Sequence, residues 1–266
     1  MFLLLDPEAR PVVAHRGDSA HVPENTLESF RQGIARGADA IECDVRLTRD
    51  GHVVVHHDPT VDRTTDGSGA IADLSLADLQ RLDAGFRFTP DGGRTFPWRG
   101  RGITIATLES VLEAFPLTPA IIEVKTPAAA AGTRLVVERR GAGRCLVGSF
   151  DAGALTPFDG SGIARTASRR DVVRLYVRAV LPGGPRRLPF QALCIPPVSK
   201  GIPLPVVRFA RMARAAGVPT HVWTVDDPAR ARRYWTRGVN GIITNDPASI
   251  LAAAARPGAS PLPSPV

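Results

Sequence analysis

Short apolar runs alternate with helix-like segments along nearly the whole chain, and this alternation constrains the fold more than any other feature. The strand-like runs are Val12–His15, Ala40–Val45, Val53–His57, Ala120–Val124, Arg144–Ser149, Ile163–Thr166, Gln191–Ile195, Thr220–Val225 and Gly241–Thr244. Between them lie helical patterns, among them Asn25–Arg36, Thr107–Phe115, Pro203–Ala216 and Asp227–Arg237. Strands that alternate with helices imply a parallel sheet, because a parallel return needs a crossover long enough to hold a helix. Such a sheet is either doubly wound or closed as a barrel, and periodicity does not choose between the two. The strand candidates exceed by one the eight that a barrel needs. Ile163–Thr166 and Gln191–Ile195 carry the weakest pattern. Ala40–Val45 and Val53–His57 are joined through Thr48-Arg49-Asp50-Gly51, a turn with no room for a crossover helix.

The 266 residues suit one α/β barrel domain, expected over 1–255. Between Thr60 and Ile105 the pattern loosens around Gly67, Gly69, Gly85, Gly92, Gly93, Gly100 and Gly102, with only Leu74–Leu82 helical. A stretch this long is a small insertion rather than a connecting loop, and it is expected to cover one end of the fold. The Pro/Ser-rich residues 256–266 read as a disordered tail.

With 44% hydrophobic and 22% charged residues, the chain can bury a sizeable core. No run reaches the roughly 20 apolar residues that cross a bilayer. The opening Met1-Phe2-Leu3-Leu4-Leu5 stops at Asp6-Pro7, too short for a signal peptide, so a cytoplasmic location is expected. Cys43, Cys145 and Cys194 are an odd set without close spacing and read as buried, inert thiols. The net charge of +7 is carried by scattered arginine pairs, Arg169-Arg170, Arg186-Arg187 and Arg232-Arg233, without interleaved aromatics. That pattern fits solvated faces and anionic substrates better than a nucleic-acid surface.

Polar residues at the ends of the apolar runs carry the chemistry. Val12-Val13-Ala14 delivers His15-Arg16-Gly17, followed by Pro23-Glu24-Asn25-Thr26, in which Asn25 or Thr26 is a helix N-cap. In Ile41-Glu42-Cys43-Asp44-Val45 the two carboxylates share one face of a strand and Cys43 takes the other. Two such carboxylates repel unless a cation lies between them, and oxygen-only ligation points to Mg²⁺ or Ca²⁺. Val53-Val54-Val55 leads into His56-His57-Asp58, where alternation lets only one histidine face with Val55. Asp58 either orients that histidine or turns the chain before Pro59. Glu123 and Lys125 again share a face, as metal ligand and phosphate contact or as a structural ion pair. Converging at the carboxyl end of parallel strands, these clusters describe metal-assisted acid–base chemistry on an anionic substrate.

Together the motifs resemble the glycerophosphodiester phosphodiesterase family, in order, over roughly residues 11–250. The match continues through Thr48-Arg49-Asp50-Gly51, Arg63-Thr64-Thr65, Ser149-Phe150, Val222-Trp223-Thr224-Val225 and Gly238-Val239-Asn240-Gly241-Ile242-Ile243-Thr244. The resemblance implies a TIM (β/α)8 barrel with a small insertion after the third strand. It implies hydrolysis of a small-molecule glycerophosphodiester to sn-glycerol 3-phosphate and an alcohol, with one divalent cation, Mg²⁺ or Ca²⁺. By the same resemblance His15 and His57 match the catalytic histidines, and Glu42, Asp44 and Glu123 the metal ligands. Arg16 and Lys125 match phosphate contacts, and Trp223 an aromatic near the substrate. Two positions depart from the family pattern: Ala106 stands where a proline is usual, and Thr244 is followed by Asn245-Asp246 rather than by aspartate directly. Neither departure is expected to touch the catalytic or metal positions. A phosphodiesterase of intact lipids would need an exposed apolar rim, and a silent binding protein would lack one of the five histidines and carboxylates.

Overall fold

The computed structural model of the chain describes residues 2–179 and 187–254; the expected tail at 256–266 and Arg186 lie outside them. The strands in chain order are β1 (Val12–His15), β2 (Ala40–Leu47), β3 (Val53–Val55), β4 (Ala120–Val124), β5 (Cys145–Gly148), β6 (Ala164–Arg165), β7 (Leu193–Ile195), β8 (Val198–Ser199), β9 (Ile202–Pro203), β10 (Thr220–Val222) and β11 (Gly241–Thr244). The helices are α1 (Leu27–Ala35), α2 (Leu76–Gln80), α3 (Leu108–Ala114), α4 (Pro127–Arg140), α5 (Ala152–Leu155), α6 (Arg169–Ala179), α7 (Val206–Ala215), α8 (Pro228–Trp235) and α9 (Pro247–Ala253). All the expected strands of the main sheet form, several of them shorter than the apolar run that announced them.

The main sheet runs β6-β5-β4-β2-β1-β11-β10-β7 with every neighbouring pair parallel. Its two ends meet at a parallel bridge between Thr166 and Ala192, flanked by Gln191 N donating to Arg165 O at 2.9 Å and Ala167 N to Ala192 O at 3.0 Å. The sheet is therefore a closed barrel, and the two runs of weakest pattern are the staves that close it. The surplus strand is β3, which folds back antiparallel on β2 through the Thr48–Gly51 turn. Among the described residues no helix is long and apolar enough to cross a membrane.

Helix starts follow side-chain caps. Thr26, Thr107 and Asp227 accept from the backbone N–H of Ser29, Ser110 and Ala229, and α1, α3 and α8 begin immediately after them. Residues that alternate outward from the staves pack under the helices: Ile41, Cys43, Val45, Ile122, Val124 and Val147 form one core with α3 and α4. The inward set is smaller. Val13, Ala40, Ile121, Leu146, Ala192 and Ile243 fill the barrel together with Leu4, from a 3-10 turn over Leu3–Leu5. The apolar opening segment thus plugs the barrel, and full burial of Leu4 contributes about 2 kcal/mol.

Residues 60–105 carry a separate small core of Val61, Ile71, Leu79, Ala84 and Ile105 against Val54 of β3. Trp98 Nε1 ties this insertion to His21 O at 3.0 Å in the loop after β1. Helix α2 within it is shorter than the expected Leu74–Leu82 and starts at a Ser75–Asp78 capping box.

His221 of β10 is fully buried, with Nε2 at 2.9 Å from Leu4 O. A Cβ on Gly241 would lie 2.1 Å from its Nδ1, so the neighbouring stave requires glycine there. Burial lowers the His221 pKa to about 4. The unfolded chain then takes up a proton at higher pH than the folded one, so stability is full above about pH 6.5, falls towards pH 4 and levels below it. The loss from this residue amounts to about 3 kcal/mol. Denaturant midpoints measured near pH 7 and near pH 4 should differ less in His221→Gln than in the native chain; an equal difference contradicts this account.

Candidate active site

Period-two alternation carries polar residues inward at the carboxyl ends of the staves that hold apolar residues inward lower down. On β1, Val13 is followed by His15; on β2, Ala40 by Glu42 and Asp44; on β4, Ile121 by Glu123. The register sets His15 level with Glu42, and Asp44 level with Glu123. Lys125 follows directly after β4, and His57 lies just beyond β3. One cavity is lined by His15, Arg16, Glu42, His57, Glu123, Lys125 and Trp223, with Ile121, Cys194 and Ile243 among its apolar residues. Asp44, level with Glu123, is 1% exposed.

Oxygens of Glu42, Asp44 and Glu123 lie within 4.8 Å of one another, a group that can hold a metal ion. Cations from the chain compensate two of them. Lys125 Nζ is 2.7 Å from both Asp44 Oδ1 and Glu123 Oε1, so the Glu123–Lys125 pair does form. Arg16 Nε lies 3.0 Å from Asp44 Oδ2 as an ion pair without hydrogen-bond alignment, and Arg16 Nη1 donates to Glu24 at 2.9 Å. Burial alone would raise the Asp44 pKa, but Lys125, Arg16 and His57 outweigh it and bring it to about 2. Among the described residues Glu42 accepts one hydrogen bond, from the Arg16 backbone N–H at 3.1 Å, and has His15 Nε2 at 3.9 Å. Burial and the charges of Asp44 and Glu123 push its pKa well above the usual carboxylate range. Burial also raises Glu123, against the pull of Lys125. An oxygen cluster short of positive charge at Glu42 fits a hard divalent cation.

The loop after β1 is shaped around this cluster. Arg16 takes φ 56° and Asn25 φ 59°, left-handed conformations found at sites that hold strain. Gly17 has φ 86°, and a Cβ there would lie 2.4 Å from the Ser29 backbone carbon, so only glycine lets α1 pack this close. Thr26 is the cap of α1, while Asn25 turns inward and donates Nδ2 to Asp44 Oδ2 at 2.9 Å.

The two histidines have different partners. His57 Nδ1 is 2.6 Å from Asp58 Oδ1, and Arg63 holds Asp58 ionised despite desolvation. Arg63 also binds Glu24, the partner of Arg16. Arg46 donates twice to His57 O, at 2.9 and 2.7 Å. His56 is buried away from the cavity, with Nε2 at 3.1 Å from Thr60 O. His15 Nδ1 is 2.6 Å from Asn245 Oδ1, while Asn245 Nδ2 donates to Asp226 at 2.8 Å. That pairing orients the amide and makes Nδ1 of His15 the protonated nitrogen, leaving Nε2 free as an acceptor. Burial, and then Arg16, lower the His15 pKa.

A family model, the glycerophosphoryl diester phosphodiesterase family, matches residues 15–249. A glycerophosphodiester phosphodiesterase of Caldanaerobacter subterraneus subsp. tengcongensis is 32% identical over 248 residues, covering 90% of this chain and 96% of that one. The chain belongs to the glycerophosphoryl diester phosphodiesterase family. The glycerophosphoryl diester phosphodiesterase domain of a Mycobacterium tuberculosis protein shares the fold, with TM-score 0.81 at 22% identity over 92% of this chain and 98% of that one. An Oleispira antarctica phosphodiesterase, solved with its product sn-glycerol 3-phosphate, superposes with TM-score 0.73 at 26% identity over 92% of this chain and 96% of that one.

One departure from the family pattern does reach the site, against expectation: Asn245 holds His15. The other, Ala106, bonds β3 through Val55 N at 2.8 Å, away from the cavity. Cys43 and Cys145 are buried, but Cys194 is half-buried and lines the cavity; burial and the charges of Glu42 and Glu123 raise its pKa and keep the thiol protonated. Glu24, Asn25, Phe150 and Asn245 belong to the site and were not singled out as site residues. Phe150, whose ring meets Trp223 edge-on at 5.8 Å, was visible as the residue after Ser149 at a strand end.

Removing Lys125 leaves Asp44 and Glu123 facing each other. With EDTA present, Lys125→Met should lower stability by about 3 kcal/mol, and millimolar Mg²⁺ or Ca²⁺ should recover part of the loss. An unshifted denaturation midpoint would show that the ion pairs contribute nothing.

Proposed function

We propose that this chain hydrolyses glycerophosphodiesters to sn-glycerol 3-phosphate and an alcohol, with His15 and His57 exchanging the protons. The observation that carries the reading is the convergence of both histidines with Glu42 and Glu123 on one cavity, with Asp44 within 4.8 Å of those carboxylates. Family membership supports the reaction class.

Glu42, Asp44 and Glu123 are the residues to hold one divalent cation, Mg²⁺ or Ca²⁺. When bound, the ion supplies Lewis-acid polarisation of a phosphoryl oxygen. Arg16 and Lys125 hold the phosphodiester anion, and Trp223 bounds the substrate on the apolar side. The nucleophile is water, or the neighbouring glycerol 2-hydroxyl, whose attack forms a cyclic phosphate that water then opens in a second step with two further proton transfers. As the new P–O bond forms, one histidine removes the nucleophile's proton; as the old one breaks, the other protonates the departing alcohol oxygen. His15 suits the first role, because its Nδ1 proton is committed to the neutral amide of Asn245. His57 suits the second, because its Nδ1 is held by the Asp58 carboxylate at 2.6 Å.

Release of glycerol 3-phosphate from glycerophosphoglycerol tests the assignment. His15→Ala and His57→Ala should each lower kcat by about 10²–10⁴-fold, with less change in KM. Near-native turnover in either variant removes that residue from the mechanism.

A further inference from the structure

We propose that the groove beside Phe150 is a second subsite, which takes a negatively charged phosphate or carboxylate carried by the leaving alcohol. The inference rests on the phosphodiesterase reading above and names a preferred substrate class for it.

The groove is lined by Phe150, Asp151, Arg169, Arg170, Val173 and Arg174. It adjoins the catalytic cavity across Phe150, which lines both and is 43% exposed. On the cavity side the Phe150 ring meets Trp223; on the groove side the Arg169 guanidinium carbon lies 5.7 Å from its centroid. The backbone makes the same short passage. Thr166 and Ala167 line the cavity, Ser168 follows, and Arg169 and Arg170 open α6.

Several arginines on other helices are held by carboxylates. Arg134 pairs with Glu138, Arg140 with Glu109 and Glu113, and Arg214 with Glu8. Neither Arg169 nor Arg170 has a carboxylate at ion-pair distance among the described residues, and the nearest to Arg174, Asp171, is 4.0 Å away. The one carboxylate lining the groove, Asp151, is engaged: its Oδ1 caps α5 by accepting from Gly153 N at 2.8 Å. Three guanidinium groups with little internal compensation are an electrostatic complement to an anion, and their planar donor forks match phosphate and carboxylate oxygens.

The half of the substrate common to all glycerophosphodiesters, the phosphate with its glycerol, belongs with the histidines and carboxylates. The variable half is the alcohol. The cavity is closed below by the barrel core, so an alcohol too large to stay inside emerges at the rim, where Phe150 is the exposed wall. An anionic group on it then meets Arg169, Arg170 and Arg174, whereas the quaternary ammonium of a choline ester meets like charge.

The test compares kcat/KM for glycerol 3-phosphate release from three diesters, whose alcohols carry a phosphate monoester, no charge, or a quaternary ammonium. The native chain should favour the phosphate-bearing diester over the choline diester by about tenfold at low ionic strength, the effect of two or three exposed charge pairs. The preference should shrink as salt is raised. It should fall towards one in Arg170→Gln/Arg174→Gln and reverse in Arg170→Glu/Arg174→Glu. Because each ratio is taken within one variant, partial loss of folded protein does not move it. A flat ratio in an active native chain, or one indifferent to charge reversal, overturns the subsite alone. No release from any of the three diesters overturns the phosphodiesterase reading and this inference with it. Binding to anionic vesicles that depends on the two arginines, combined with a flat substrate ratio, would make the groove a membrane contact and overturn the subsite.

Discussion

Glu42, Asp44 and Glu123 share one end of a barrel interior, and holding three carboxylates there is the constraint around which the other features are arranged. Desolvating an ionised carboxylate costs several kcal/mol, and neighbours of like charge add to it. The fold answers with Lys125 between Asp44 and Glu123, Arg16 and Asn25 on Asp44, and a backbone N–H on Glu42. The compensation is uneven. Asp44 is driven strongly acidic, while Glu42 is pushed the other way. A cluster built this way can hold a cation from outside.

Geometry reaches this site through period-two alternation. One inward row per stave is apolar at the bottom, where Leu4 and its partners seal the barrel, and polar at the top. The two histidines arrive from different directions, His15 from the barrel and His57 from the β3 hairpin that pairs with β2. Each is fixed through Nδ1, one by an amide and one by a carboxylate, which suits them to different halves of a proton exchange. Glu24 joins the two loops, since it binds both Arg16 and Arg63, and Arg63 in turn binds the partner of His57.

The strands and the site carboxylates were legible because both depend on local pattern. Spacing two apart is enough to put Glu42 and Asp44, or Glu123 and Lys125, on one face. Barrel closure was not legible: β6 and β7 are short, and their contact is made across the seam rather than within a run. Family resemblance supplied the barrel where periodicity stopped. Asn245 was misjudged for a related reason, since its bond to His15 spans 230 residues and no local signal marks it. Local pattern allows either Asn25 or Thr26 as the cap of α1; Thr26 takes that place, and Asn25 is drawn inward by its bond to Asp44. Choosing His57 over His56 needs the family motif; in the structure His57 lines the cavity and His56 is buried against Thr60 O.

The dependence of turnover on a divalent cation tests the central claim most directly. Glycerol 3-phosphate release from a glycerophosphodiester should stop in EDTA and return when Mg²⁺ or Ca²⁺ is restored in excess. Release that is indifferent to EDTA, or absent with either ion, would contradict the account and leave the carboxylates of Glu42, Asp44 and Glu123 without the role assigned to them.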